Sequence, residues 1–246
     1  MKVTFLGTNG WYDTKTGNTI CILIETDKAY IVFDAGNGIY KIDNHIRSQK
    51  PIYLFISHMH LDHVTGLHIF NKFKFKQSIN IIIPLSLKST LQKLISRPIT
   101  IPLNKLPFKV RVNTFDRKIN APFSIQAFKL NHPSPCWGYR LETEGKIIAY
   151  GVDTGRCKNL YLLAKNADLF IAECSYRKGE IHKGWIHLNP EQAAEVAKQA
   201  KTKKLALVHF DASRYLTFRD RQQAEKAAQV IFKNTFAARD NLKIKL

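Results

Sequence analysis

The chain is short of acid, sparing with cysteine and free of long apolar runs. Its 246 residues hold 19 Asp and Glu against 38 Lys and Arg, a formal net charge of +19. Four cysteines, Cys21, Cys136, Cys157 and Cys174, fall in no Cys-x-x-Cys spacing and read as reduced, packed thiols. No stretch approaches the ~18 to 20 apolar residues that a membrane span needs. Met1 to Thr8 reads as a strand and turn, without the apolar centre and small-residue cleavage site of a signal peptide, so the cytoplasm is the expected location. There is no linker, repeat or low-complexity segment. With 45% hydrophobic residues the chain can bury a sizeable core as one α/β domain covering residues 1–246.

What is present is concentrated in six residues. His58-Met59-His60-Leu61-Asp62-His63 puts three imidazoles and a carboxylate on one turn, and such mutually repelling, hard-to-bury groups are stable together only if a cation joins them. A shuffle of this composition would produce the pattern on the order of once in two thousand chains. The apolar, β-branched run Pro51 to Ser57 reads as a buried strand that ends where these residues begin. In extended chain alternate side chains share a direction, so His58 and His60 can close on one metal. Asp62 and His63 come after the bend and face elsewhere. Two pairs of different direction suggest two metal ions, which need further histidines and a bridging carboxylate from distant parts of the chain.

Three more candidates stand at the ends of apolar segments: His132 after Phe123 to Leu130, Asp153 after Ile147 to Tyr150, and His209 after Lys204 to Val208. His45, His68 and His182 end no such strand and read as solvated loop or helix-face histidines. His187 also ends none.

With these residues in view the chain resembles the metallo-β-lactamase superfamily, and within it the ribonuclease Z family of transfer RNA 3′-processing endonucleases and its shorter relatives. The resemblance rests on Phe5-Leu-Gly-Thr8, Phe33-Asp-Ala-Gly36, Ile56 to Leu67, His132 followed by Gly138 to Glu142, Asp153-Thr154, Ala172 to Tyr176, His187 before an Ala-rich helix, and Leu207 to Tyr215. It implies a four-layer αββα sandwich. It implies that His58, His60 and His132 hold one metal, that Asp62, His63 and His209 hold the other, and that Asp153 bridges them. Glu173 and His187 resemble the family's carboxylate and histidine pair that protonates the leaving group, and Asp62 would orient the attacking water or take its proton. A homodimer is implied too. All-His/Asp ligation suits zinc, and also manganese or iron. Two departures are visible. Val152 stands where the family commonly has Gly, which could shift the bridging loop. The arm with which ribonuclease Z grips transfer RNA lies between the segments of His132 and Asp153, where this chain has room only for two strands turning at Gly145.

Strands are expected near 2–6, 19–25, 29–33, 51–56, 79–83, 108–115, 123–130, 137–142, 146–150, 168–172 and 204–208, in two β-rich halves with helices outside. Asn189, Pro190 and Gln192 form a capping-box-like start to a helix whose Ala193, Val196, Ala197 and Ala200 make an apolar stripe. Thr217 caps a last helix in which Ala224, Ala227, Ala228, Ile231 and Thr235 face inward.

Charge adds a second clue. Residues 64–131 hold twelve basic side chains and one acid, Asp116, and carry +11 of the net +19. Such clustering concentrates polyanions and makes their binding salt dependent. Phe70, Phe73, Phe75, Phe108 and Phe115 are interleaved with Lys72, Lys74, Lys76, Lys109 and Arg111, a pattern shared by surfaces on which bases stack and by a core beneath solvated lysines. Three function classes follow: a phosphodiesterase acting on RNA, such as precursor transfer RNA; a phosphodiesterase of cyclic or modified nucleotides, which suits the missing arm; and a thioester or lactone hydrolase, or an idle nucleic-acid binder, of the same fold.

Overall fold

The computed structural model describes residues 1–115, 119–182 and 184–246. Asp116, the one acid of the basic segment, lies outside the described residues, as do Arg117, Lys118 and Lys183. The first half holds β1 (Lys2–Gly7), β2 (Asn9–Gly10), β3 (Cys21–Glu25), β4 (Tyr30–Phe33), β5 (Ile52–Phe55), β6 (Ile79–Ile83) and β7 (Val110–Thr114), with the short helices α1 (Leu61–Val64) and α2 (Lys88–Leu94). The second holds β8 (Ser124–Lys129), β9 (Trp137–Thr143), β10 (Lys146–Gly151), α3 (Lys158–Ala164), β11 (Leu169–Glu173), α4 (Pro190–Gln199), β12 (Leu205–Val208), β13 (Phe210–Asp211), α5 (Phe218–Ile231), β14 (Thr235–Ala237) and β15 (Lys243–Lys245).

These strands form one sheet in the order β15-β1-β3-β4-β5-β6-β7 and another in the order β14-β12-β11-β10-β9-β8, with β2 and β13 paired separately. The period-2 alternation of the strands assigns each face. In β4, Ile31 and Phe33 point between the sheets while Tyr30 and Val32 point outward. In β12, Ala206 and Val208 face the other sheet, whereas Leu205 and Leu207 meet the helices. Three cores result: one between the sheets, one under α3, α4 and α5, and one under α2 and two 3-10 segments (Asn37–Asn44, Thr65–Lys72). This is the αββα sandwich.

All eleven expected strands are present, each end within two residues of its expected place. α4 starts with a complete capping box between Asn189 and Gln192, and α5 with one between Thr217 and Asp220. One expectation is corrected. Thr235 is buried, but not in the last helix: α5 ends at Ile231 and Thr235 opens β14 beside Leu205. The expected disposition of the phenylalanines is also settled. Phe70, Phe73 and Phe108 are buried, Phe75 stacks on Phe73 at 5.0 Å, and Phe115 stacks on the intersheet Tyr139 at 5.3 Å. Phe70, Phe73 and Phe108 are core, and Phe75 and Phe115 are half-buried against it, so the five rings pack inward and form no open stacking surface. Cys21, Cys136 and Cys174 are buried and all four thiols are free. Among the described residues no helix is long and apolar enough to cross a membrane.

β9 and β10 are joined at Glu144 and Gly145, both at positive φ, which is the tight two-residue hairpin turn. No arm emerges there. The strands that matter for function share a direction: β4 and β5 are parallel, and β8, β10, β11 and β12 run the same way through the antiparallel β9. Residues just beyond their C-terminal ends meet at one rim, the usual place for a site in such sheets.

Candidate metal centre

At that rim Asp153, which follows β10, is enclosed by imidazoles. Its Oδ2 lies 3.0 Å from His58 Nε2, 3.3 Å from His63 Nε2, 3.8 Å from His60 Nδ1 and 3.9 Å from His132 Nε2, and its Oδ1 lies 3.2 Å from His209 Nε2. Asp62 Oδ2 is 3.2 Å from the same His209 nitrogen. Among the described residues three groups have the spacing of metal ligands: His58, His60, His132 and Asp153; Asp62, His63 and His209; and Asp153, Glu173 and His187. All seven residues singled out from the sequence therefore come together at this rim, with His58, His60, His132 and Asp153 in one group and Asp62, His63 and His209 in another.

The imidazoles are aimed. Asp34 Oδ2 accepts from His63 Nδ1 at 2.8 Å, Ser134 O accepts from His132 Nδ1 at 3.1 Å, Ser175 Oγ is 3.1 Å from His209 Nδ1, and Ser134 Oγ is 3.1 Å from His60 Nε2. In each ring one nitrogen is tied outward and the other faces Asp153. Outer partners of this kind fix ring orientation and tautomer in metal sites. The backbone is bent to the same end: Asp34, Asp153 and His209 all hold φ between 51° and 58°, a left-handed conformation that costs free energy and concentrates at functional sites. Gly10 is required by contact, since a Cβ there would lie 2.5 Å from His209 Cε1.

Two buried atoms, His58 Nε2 and Asp153 Oδ1, make no hydrogen bond within the protein. Buried polar groups are seldom left so, and these two face each other's cluster. Burial keeps His58 neutral by lowering its pKa to about 4, against the pull of Asp153. Burial likewise lowers that of His63, but Asp62, Asp34 and Asp153 more than offset it and leave His63 raised. Burial raises Asp62 and Asp153, yet the surrounding histidines hold both carboxyls below their ordinary range. Carboxylates facing imidazole nitrogens are the donor set that a divalent cation would satisfy, so these residues fit divalent metal binding.

Next to the centre, Glu173 closes β11. Thr154 N and Leu188 N donate to its two oxygens, and its Oε1 accepts from His187 Nδ1 at 3.1 Å. Burial lowers the His187 pKa, but Glu173 raises it more, to about 9. With Nδ1 engaged by Glu173, Nε2 makes no hydrogen bond among the described residues.

Val152 is fully buried in the intersheet core, and Asp153 beside it stands among the histidines of the cluster. Of the histidines set aside, His68 is exposed and bonded to Thr65 O. His182, although exposed, lines the cleft and packs on Tyr176 at 4.8 Å. Asp34 was the main omission among residues of consequence. Its carboxylate accepts from Ser57 N and Oγ, His63 Nδ1 and Tyr150 OH, all at 2.7 to 2.8 Å, with no solvent exposure. The signal was Phe33-Asp-Ala-Gly36, where an acid closes a buried strand with no basic neighbour in sequence. Asp34→Ala removes the acceptor of four buried donors, and should cost about 3 to 5 kcal/mol in urea unfolding. A loss under about 1 kcal/mol would show that water replaces the carboxylate.

Residues 29–210 match the beta-lactamase superfamily domain. The chain is 26% identical to a ribonuclease Z of Ligilactobacillus salivarius, over 98% of this chain and 95% of that protein. The 303 aligned positions exceed the 246 residues here by more than fifty, so the relative carries segments that this chain lacks. Among solved structures it resembles the metallo-beta-lactamase fold protein YhfI from Bacillus subtilis, with a TM-score of 0.79 at 20% identity over 99% of each chain. It also resembles the short form of human tRNase Z, with a TM-score of 0.74 at 24% identity over 100% of this chain and 99% of that one. Fold, aimed imidazoles and the match over three quarters of its length agree: the chain belongs to the beta-lactamase superfamily, in its metallo-beta-lactamase fold.

Proposed function

We propose that the chain, as one hydrolase domain over residues 1–246, is a binuclear metal-dependent phosphodiesterase that cleaves RNA, on the pattern of the ribonuclease Z relatives, with precursor transfer RNA 3′ ends as the first substrate to try. The observation that carries this reading is the Glu173–His187 pair set against the seven-residue metal cluster: a proton donor is needed for an alkoxide leaving group. His58, His60 and His132 would hold one ion, Asp62, His63 and His209 the other, and Asp153 both. Zinc suits these donors best, and the expected setting is a homodimer in the cytoplasm.

Bound divalent ions supply Lewis acidity, lowering the pKa of water toward neutrality and drawing charge from phosphoryl oxygens. Asp62 orients the attacking water and takes its proton. As the new P–O bond forms, the bond from phosphorus to the 3′-oxygen breaks, and His187, steadied by Glu173, delivers a proton to that oxygen. Water is the nucleophile, so the products are a 5′-phosphate and a 3′-hydroxyl and no 2′-hydroxyl takes part. Excess positive charge supports a polyanionic substrate and weighs against neutral lactones. The tight β9–β10 turn, in place of an arm, favours a second reading in which small cyclic or modified nucleotides are cleaved. Purified protein assayed side by side on precursor transfer RNA, cyclic nucleotides and a bis-aryl phosphodiester separates them. Cleavage of the bis-aryl ester and cyclic nucleotides, with RNA untouched, would overturn the RNA reading.

The basic segment is expected to hold RNA in the arm's stead. Lys74 and Lys76 are exposed and make no ion pair among the described residues, whereas Lys72 Nζ is bound to Asp43 Oδ2 at 2.6 Å and to Tyr40 O. Neutralising Lys72, Lys74 and Lys76 together should therefore lower the salt dependence of RNA binding by about two phosphate contacts, fewer than the three lysines suggest. Hydrolysis of a small phosphodiester should not change. An unaltered affinity and salt slope would mean that this face is merely solvated.

A further inference from the structure

Two of the three tryptophans of the chain stand out in solvent on the same cavity. Trp11 is 68% exposed and Trp185 67%, and both line the roughly 730 Å³ cleft whose floor is His60, Asp62, Asp153 and His187. An exposed indole forfeits the burial that usually keeps tryptophan inside, and two at the mouth of one polar site call for a flat apolar partner.

Each ring is tied to one side of the chemistry. Trp11 follows β2, which pairs with β13 just after His209, and its backbone N–H donates to Asp62 Oδ2 at 2.8 Å. Its φ is +72°, a region that bulky residues very rarely enter. The strain is held by that bond to a metal-centre carboxylate and turns the ring away from the core, edge-on to Tyr12 at 5.1 Å. On the other side Tyr176 OH donates to Trp185 O at 2.8 Å, and the Tyr176 ring meets His187 edge-on at 5.5 Å. Trp185 is thus fixed through Tyr176 to the proton donor, and Trp11 is fixed to the residue that orients water.

Resting on the phosphodiesterase reading above, we propose that Trp11 and Trp185 are the two nucleobase platforms of the cleft. Trp185 stacks the base of the nucleoside that departs with its 3′-oxygen. Trp11 stacks the base of the nucleotide that keeps the phosphate on its 5′-oxygen. Stacking on an aromatic face tolerates any base, so the platforms select nucleotides over other phosphodiesters without reading sequence. The bases therefore meet aromatics at the metal centre, and the phenylalanines of the lysine-rich segment have no part in it.

Calorimetric titration of the metal-loaded protein with product-like monophosphates tests this without turnover. Trp11→Ala should weaken a nucleoside 5′-monophosphate about 5- to 150-fold and spare a nucleoside 3′-monophosphate; Trp185→Ala should do the reverse. Ribose 5-phosphate, which lacks the base, should bind weakly to the parent and equally to both variants. Trp11→Phe and Trp185→Phe keep a ring and should recover most of the affinity. Unchanged nucleotide affinity in the alanine variants, ribose 5-phosphate binding as tightly as the nucleotide, or no recovery with phenylalanine would each overturn the proposal. If the alanine variants lose nucleotides while the parent cleaves no RNA, the platforms stand and the RNA reading falls. If the parent cleaves RNA and the variants bind as it does, the reverse holds.

Discussion

Asp153→Ala should lose both metal ions and at least about 10³-fold in turnover, the largest effect expected of any single substitution. Its two oxygens lie 3.0 to 3.9 Å from five imidazoles drawn from both ligand groups, so its loss reaches both at once. Lewis-acid stabilisation is worth several kcal/mol of barrier, and each 1.4 kcal/mol is a factor of ten. His60→Ala removes a donor from one group only and should cost that group its ion while the other persists. Elemental analysis of dialysed variants, with far-ultraviolet circular dichroism to check the fold, separates the two patterns. Retention of two ions by Asp153→Ala would show that the bridge is elsewhere.

His187→Ala should keep both metals and still lose about 10²- to 10⁴-fold on RNA. The loss should depend on the leaving group. A ribose alkoxide departs only with a proton, whereas an aryloxide departs without one, so the same variant should be nearly normal on an aryl phosphodiester. Glu173→Gln should follow in weaker form, because the amide still accepts from His187 Nδ1 but no longer holds its proton by charge. Equal losses on both substrates, or loss of metal from His187→Ala, would remove His187 from proton transfer and make it a ligand. That alternative is not idle, since His187 Nδ1 is also 3.7 Å from Asp153 Oδ1.

Much of this arrangement was legible in the sequence because the ligands sit at ends of apolar strands, and strand ends are where periodicity breaks visibly. His58, His132, Asp153 and His209 were found in that way, and the strands themselves followed from β-branched runs. His187 gave no such signal, and Glu173, although it closes the apolar strand β11, was marked only by the resemblance to a family. Asp34 was passed over because its role is fixed by partners at positions 57, 63 and 150, which only the closed sandwich brings together. The short strands β14 and β15 escaped for a related reason: three residues at a sheet edge carry too little pattern to see. The phenylalanines near Lys72 show the limit of reading surface from sequence, since alternation with lysine marks a strand or turn with one buried face as readily as a binding surface. Trp11 was invisible as a platform because its exposure depends on a positive φ held by Asp62, 51 residues away.

Metal stoichiometry is the most direct test of a binuclear centre. The protein, prepared without chelator and without a metal-binding tag, should contain two divalent ions per chain by elemental analysis. Removal with a chelator should abolish phosphodiester hydrolysis, and restored activity should track the return of both ions. At most one ion per chain at full occupancy, with activity intact, would contradict it.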